Sequence, residues 1–215
     1  REFGKTGLKI SQLGYGCMRL PEIEENGAWR IDEDRAIPML RRAYELGVNY
    51  FDTAVMYCHN QSQYTVGRAV KPFRDKILLS TKLPMGSVRE TADFRRILEQ
   101  SLERLDTSYI DFYHFHGINQ SVFDEKILGY GLMKEAQRAI DEGLIRHISF
   151  SFHDKPEAIR YIIERGEIFS SILLQYNLLD RKNEEYMAYA HDAGLGVVVM
   201  GPVAGGRLAA PSELY

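Results

Sequence analysis

The chain has 215 residues and a formal net charge of −3, from 27 basic and 30 acidic side chains. This balance gives no general attraction to nucleic acid or to anionic lipid, so we expect neither as a partner. No apolar run approaches the roughly 20 residues of a membrane helix, and the two cysteines, Cys17 and Cys58, cannot build a disulfide framework, so we expect a soluble, cytoplasmic protein.

The predicted elements begin with a short hairpin pattern in FGKTGLKIS and continue as an alternation of apolar runs and helical stretches. Seven runs have the β-branched and aromatic content of strands, at residues 13–18, 49–54, 77–82, 110–116, 146–152, 171–177 and 196–202. Such an alternation is typical of parallel βα units.

The helical stretches carry start and stop signals. The clearest stretch, residues 91–106, has apolar residues on one face at helical spacing, namely Phe94, Ile97, Leu98, Leu102 and Leu105. Four glycines are predicted to end helices in the left-handed conformation: Gly47, Gly143, Gly166 and Gly194. Asp154, two residues before Pro156, predicts a helix N-cap.

Two architectures fit this alternation: an open doubly wound sheet or a closed (β/α)8 TIM barrel. The turn after the first strand is a long polar loop rather than G-x-G-x-x-G opening into a helix, which favours the α/β barrel with an N-terminal β-hairpin. We expect one domain over residues 1–215, C-terminally incomplete. The eighth strand and final helices would lie outside this chain, leaving unpaired strand edges that promote instability or aggregation.

Polar residues at the carboxyl ends of barrel strands are the candidates for a site, because active sites of parallel barrels lie there. Asp52 and Tyr57 follow the second predicted strand, Lys82 ends the third and His116 ends the fourth. Ser151 follows on the fifth strand. Alternation along a strand decides which side chains point inward: Leu78, Ser80 and Lys82 share one face of the third strand, and Phe112, His114 and His116 share one face of the fourth.

Together, the first four groups suit the reduction of a carbonyl, which needs a proton delivered to its oxygen. Tyr57 would be the acid, with its pKa lowered by the ammonium of Lys82. Asp52 would keep Lys82 charged inside the barrel. A neutral His116 would donate a hydrogen bond to the substrate oxygen.

A metal site is a further reading of the histidines. His114 and His116 form an H-x-H pair on one strand, with His153 nearby, so a metal-dependent barrel hydrolase is a less favoured alternative. This reading leaves Tyr57 and Lys82 without roles, and we therefore predict no metal.

The segments NYFDTAVMY, LLSTK and SYIDFYHFH, in this order and spacing, resemble the signature segments of the aldo-keto reductase family. The similarity runs from FGKTGLKISQLGYGCMRL to VVVMGPVAGGRL, which is almost the whole chain. The resemblance implies a (β/α)8 barrel that reduces small aldehydes or ketones with NADPH. The matching catalytic tetrad is Asp52, Tyr57, Lys82 and His116.

The resemblance also implies cofactor-binding residues. Ser151 matches the serine that contacts the nicotinamide carboxamide, and Gly201 with the VAGGRL loop, including Gly205, matches the backbone that cradles the pyrophosphate. Met200 stands where an aromatic residue often stacks on the nicotinamide. The segment that distinguishes NADP from NAD lies beyond residue 215, so NADP is an expectation from the family.

Several positions depart from the family pattern. Phe152 and Leu173 stand where asparagine and glutamine are frequent, and Gln63 replaces a frequent glutamate. A cofactor-binding regulatory barrel with little turnover is therefore an alternative function. IRHISFSFHD and MGPVAGGRL are similar to a bacterial branch with a cysteine-rich, ferredoxin-like tail, which implies a 4Fe–4S cluster in a segment outside this chain.

Overall fold

The computed structural model describes residues 1–209. Its main sheet has seven parallel strands in the order β1-β4-β5-β6-β7-β8-β9, so strands consecutive in the chain lie side by side apart from an inserted hairpin. These strands are β1 (Tyr15–Gly16), β4 (Tyr50–Asp52), β5 (Leu78–Pro84), β6 (Ile110–Ile118), β7 (Ile145–Phe152), β8 (Phe169–Gln175) and β9 (Gly196–Met200). The sheet curls into an open barrel, which confirms the predicted strands and their parallel order.

Helices cover the outer face of the sheet. They are α1 (Glu33–Glu45), α2 (Ser62–Val70), α3 (Ala92–Arg104), α4 (Gln120–Val122), α5 (Leu132–Asp141), α6 (Ala158–Arg165) and α7 (Glu184–Asp192). The apolar face predicted for residues 91–106 is buried as expected and packs on the sheet. No helix among residues 1–209 combines the length and apolar character that crossing a bilayer requires.

The N-terminal hairpin closes the bottom of the barrel. An antiparallel bridge joins Glu2 and Lys9, and Phe3 inserts between Tyr50 and Phe112, with ring centroids 6.2 and 5.2 Å away. With Leu78 these rings form a separate apolar cluster inside the barrel. Side chains two and four residues further along the strands therefore form the next interior layers, toward the mouth.

The segment predicted as a long polar loop after the first strand contains a second hairpin, and the prediction was wrong there. β2 (Glu22–Glu25) pairs antiparallel with β3 (Ala28–Ile31). The connecting Asn26 and Gly27 have φ of 53° and 76°, as a two-residue primed turn requires. Asn-Gly is the sequence signal that identifies this hairpin, although its flanking strands are short and polar.

Two local predictions were also wrong. Gly47, Gly143 and Gly194 have positive φ as predicted, but Gly166 has φ −98°. Gly166 is needed for space instead, since a Cβ there would lie 2.1 Å from the Phe169 ring. Asp154 does not cap α6, which starts at Ala158; its carboxylate accepts the backbone N–H of Gln120 at the start of α4.

Residues 210–215 are outside the described range, so the predicted end of the domain at residue 215 lies there too. The single-domain boundary stays a prediction.

Candidate active site

Adjacent strands bring the predicted polar side chains to one end of the barrel. Parallel pairing aligns Asp52 of β4 with Ser80 of β5, and Lys82 of β5 with His114 of β6. His116 lies one interior layer further along β6, opposite Pro84. These residues come from three strands and converge because the carboxyl ends of parallel strands share an edge.

Lys82 and Asp52 form an ion pair inside the barrel. The Lys82 Nζ lies 2.6 Å from Asp52 Oδ2 and donates a second hydrogen bond to the Thr53 carbonyl at 2.7 Å. Ser80 Oγ donates to the other Asp52 oxygen at 2.8 Å. The side chains of Lys82 and Asp52 are only 1% and 15% exposed, so each needs the other to offset the loss of water.

Tyr57 lies against this pair. The Lys82 Nζ is 4.8 Å from the centroid of the Tyr57 ring, and the His116 ring is 6.1 Å away at an interplanar angle of 82°. The structure therefore brings all four predicted catalytic residues together. Ser80 and Thr53, which anchor the ion pair, were not predicted as site residues, although Ser80 shares the inward face of its strand with Lys82.

The predicted electrostatics of Tyr57 need a correction. Burial raises the pKa of the Tyr57 phenol above its ordinary value, and the nearby Lys82 lowers it only in part. We predicted a lowered pKa. The sequence shows that a cation is close but not how far the phenol is removed from water, and here desolvation is the larger effect.

The pKa of His116 is shifted in the other direction, below its ordinary value. Burial, followed by repulsion from Lys82, lowers the pKa of His116 to about 4. The imidazole is therefore neutral at pH 7, as predicted, and its ring N–H can donate a hydrogen bond.

The turn that follows Tyr57 has unusual backbone geometry that the sequence does not announce. Cys58, His59 and Asn60 have φ of 47°, 54° and 67°, all in the left-handed region. His59 and Asn60 are of residue types enriched in this region, whereas Cys58 is not. The turn is closed by the Ser62 N–H, which donates to the Tyr57 carbonyl at 3.2 Å.

His114 lies one layer deeper than His116 and is fully buried. Its Nε2 is 3.4 Å from the Tyr50 hydroxyl, and burial lowers the pKa of His114 to about 3. Within residues 1–209 no group of three or more histidine, cysteine, aspartate or glutamate side chains has the arrangement of a metal site. His153 is exposed at the end of β7 and does not join His114 and His116 in one.

The candidate cofactor-binding residues lie at the ends of β7 and β9. Ser151 is buried, and its Oγ accepts the Gly117 N–H at 2.7 Å while its hydroxyl hydrogen remains a donor. Leu173 pairs with Ser151 in the adjacent strand and presents no polar group there. Met200, partly buried, is the last residue of β9.

The backbone after β9 has the character of a phosphate-binding loop. Gly201 and Gly205 both have φ 68°, and Gly206 has φ 98°. A Cβ on Gly201 would lie 2.5 Å from the Gln175 amide oxygen, whereas a Cβ on Gly205 or Gly206 would meet nothing within 4 Å. Bare glycine backbone of this kind suits the diphosphate of a dinucleotide.

The family model described as "Aldo/keto reductase family" matches residues 12–213. The uncharacterized oxidoreductase YqkF of Bacillus subtilis (strain 168) is 33% identical over 97% of this chain and 66% of its own length. The first curated relatives are matched over 59% to 66% of their lengths, so this chain spans less than two thirds of each.

Solved structures of this family have a similar fold. The holo form of an aldo-keto reductase from Bacillus halodurans superposes with a TM-score of 0.83 at 32% identity, over 99% of this chain and 70% of that one. An aldo/keto reductase from Klebsiella pneumoniae in complex with NADP and acetate gives a TM-score of 0.79 at 26% identity, over 96% and 69%. The chain belongs to the aldo/keto reductase family.

Proposed function

We propose that this chain is the catalytic barrel of an NADPH-dependent oxidoreductase that reduces a small aldehyde or ketone to an alcohol. The carrying observation is the buried Lys82 ammonium, 2.6 Å from the Asp52 carboxylate and 4.8 Å from the Tyr57 ring centroid. A buried ion pair is weak evidence for a purely stabilising role, because apolar residues in its place are often as stable. It suits a site where a hydroxyl must transfer a proton.

Each residue has a role in this proposal. Tyr57 gives its hydroxyl proton to the carbonyl oxygen as that oxygen gains negative charge. Lys82 stabilises the phenolate left behind, and Asp52 keeps Lys82 charged and in place. Neutral His116 donates a hydrogen bond to the same carbonyl oxygen, which fixes its position relative to Tyr57.

The cofactor would be held by residues at the ends of β7 and β9. Ser151 would donate to the nicotinamide carboxamide, Met200 would pack against the ring, and the Gly201 to Gly205 backbone would bind the diphosphate. When bound, the dinucleotide supplies the hydride. The Klebsiella pneumoniae protein described in complex with NADP supports the choice of NADP. The iron–sulfur segment stays a prediction about a part of the protein outside this chain.

One observation favours the cofactor-binding barrel with little turnover. Leu173 pairs with Ser151 on the adjacent strand and is 5% exposed. Because its side chain is apolar, Ser151 is the one residue of this pair whose side chain could bond the nicotinamide carboxamide. A loosely held nicotinamide would slow the reaction. The complete cluster of Tyr57, Lys82, Asp52 and His116 is the reason we prefer the reductase.

The two functions separate in one experiment on the full-length protein. NADPH binding is followed by the change in its fluorescence, and oxidation of NADPH at 340 nm is followed with benzaldehyde and acetone as probes. The reductase predicts both binding and oxidation that depends on the carbonyl compound. Binding without oxidation would favour the regulatory barrel, and no binding would overturn both.

A further inference from the structure

Two side chains of the turn that carries Tyr57 contact the inserted β2–β3 hairpin, and one of them, Gln61, forms two hydrogen bonds with it. The Gln61 Oε1 accepts the backbone N–H of Ile31 at 3.1 Å, and the Gln61 Nε2 donates to the Trp29 carbonyl at 3.2 Å. The single amide therefore uses its donor and its acceptor on the same strand, β3. A second contact places the His59 imidazole 3.6 Å from the Glu22 carboxylate of β2.

The turn that is held in this way is strained. Three successive residues with side chains, from Cys58 to Asn60, have positive φ, a conformation that is unfavourable for L-residues. Such a turn persists only where tertiary contacts enforce it. The Cys58 Sγ contributes one of these, as it donates to the Met18 carbonyl at 3.4 Å.

Gln61 is also joined to Tyr57 through the backbone. Its N–H donates to the Cys58 carbonyl at 3.0 Å, and the next residue, Ser62, donates to the Tyr57 carbonyl at 3.2 Å. A change in the position of Gln61 is therefore transmitted to Tyr57 over a short path.

We propose that Gln61 is a positioning residue: by fastening the β2–β3 hairpin to the strained turn, it holds the Tyr57 ring against Lys82. This inference rests on the proposed function, in which Tyr57 is the proton donor. It also gives the hairpin a function, which is to hold in place the turn that carries Tyr57.

The chemistry of the contact demands glutamine. A glutamate would keep an acceptor for the Ile31 N–H, but its second oxygen would face the Trp29 carbonyl with no proton between them. An alanine removes both bonds. We therefore expect Gln61→Glu, like Gln61→Ala, to lose the connection to the hairpin.

The kinetic test uses the full-length protein with benzaldehyde and saturating NADPH. Gln61→Ala should lower kcat about tenfold, because two hydrogen bonds that fix the reacting group are lost. The Kd for NADPH should not change. Arg30→Gln is the control, because it removes the exposed Arg30–Glu25 ion pair within the same hairpin without touching the turn.

The Tyr57→Phe background shows whether Gln61 acts through Tyr57. There, adding Gln61→Ala should leave the residual turnover unchanged, since the group to be positioned is gone. An equal fold loss in both backgrounds, or no loss in either, would overturn the proposal, because a general loosening of the site does not depend on the tyrosine hydroxyl.

A second readout does not need activity. Cys58 is in the strained turn and is 8% exposed, while Cys17 is fully buried. Gln61→Ala should speed alkylation of Cys58 by iodoacetamide at least several-fold relative to Cys17, as followed by peptide mass spectrometry. Unchanged labelling overturns the fastening itself. Faster labelling of Cys58 in a protein that reduces no carbonyl compound would refute the proposed function. It would still show that Gln61 holds the turn to the hairpin.

Discussion

Asp52 and Lys82 carry opposite charges inside the barrel, and the burial of each depends on the other. Asp52→Asn should therefore destabilise the protein by about 3–5 kcal/mol, because it leaves the buried Lys82 ammonium without its counter-charge. Urea unfolding measures the loss.

The double variant is the informative control for this prediction. Adding Lys82→Met to Asp52→Asn removes the unpaired charge and should recover most of the lost stability. If the double variant were as unstable as the sum of the two single variants, the ion pair would not explain why Asp52 is tolerated on a buried strand.

The proximity of the candidate site residues could be predicted from sequence better than their electrostatics. Asp52, Lys82 and His116 lie at or near the carboxyl ends of strands, which can be read from apolar runs, and Tyr57 lies in the turn after the first of them. The raised pKa of Tyr57 could not be predicted, because it depends on how much water the assembled barrel removes from the phenol. No sequence pattern marks Gln61, because its proposed positioning role depends on contacts that form only when the hairpin and the turn meet.

At the scale of elements, β5, β6 and β7 are tied together at the bottom of the sheet by a buried acid. Asp111 of β6 is fully buried and accepts the Leu79 N–H of β5 at 2.9 Å. Arg74 and Arg146 lie 2.8 and 3.1 Å from its two oxygens. Both guanidinium groups also lie over the Tyr109 ring, 4.1 and 4.0 Å from its centroid.

Asp111→Asn should cost about 3–5 kcal/mol in the free energy of unfolding, because it leaves part-buried arginine charge without a partner. The cluster is at the end of the barrel opposite Tyr57, so NADPH affinity should be unchanged. Asp106→Asn is the matched control. It breaks an exposed pair with Lys71 and should change stability by less than about 1 kcal/mol. Equal losses for the two variants in urea unfolding would contradict this account.

Regular elements could be predicted because their signals are local. The strands of the barrel read as apolar runs, and the amphipathic pattern of α3 placed its buried face correctly. The β2–β3 hairpin was missed because its strands are four residues each and mostly exposed, so that only Asn26-Gly27 marks it. Asn119 is the N-cap of α4, and Asp154 accepts the Gln120 N–H beside it instead of capping α6, a contact between residues 34 apart that no local pattern contains.

For the whole molecule, the buried histidines predict a pH dependence of stability. His114 and His116 have pKa values lowered by burial to about 3 and about 4, and burial also lowers the pKa of the half-buried His147. Below pH ~6.5 the unfolded chain binds protons that the folded chain does not. Stability is therefore full above pH ~6.5 and falls as the pH drops toward about 4.

Urea unfolding at pH 7.0 and 5.0 checks this dependence. We expect a clearly lower free energy of unfolding at pH 5.0, and a smaller difference between the two pH values in His114→Gln. The carboxylates with lowered pKa, such as Glu33 and Glu142, lose their contribution at lower pH and do not obscure this window. Equal stability at both pH values would mean that the histidines are not buried as neutral groups.

The barrel fold could be predicted from the order of the strands, because consecutive parallel strands with covering helices close in few ways. The hairpin that plugs the bottom was also recognisable from its glycines. For the interior layers, the sequence predicts only which side chains of each strand point inward, not which of them touch. The contacts between Phe3, Tyr50 and Phe112 depend on a curvature that no local pattern contains.

The turnover of Tyr57→Phe tests the central claim most directly. With the full-length protein, saturating NADPH and benzaldehyde, this variant should lose at least about 100-fold in kcat while its Kd for NADPH is unchanged, since only the proton donor is removed. Tyr189→Phe, which removes a hydroxyl on α7 that bonds Glu164, should keep native kcat. A Tyr57→Phe variant that reduces benzaldehyde as fast as the native protein would contradict the account.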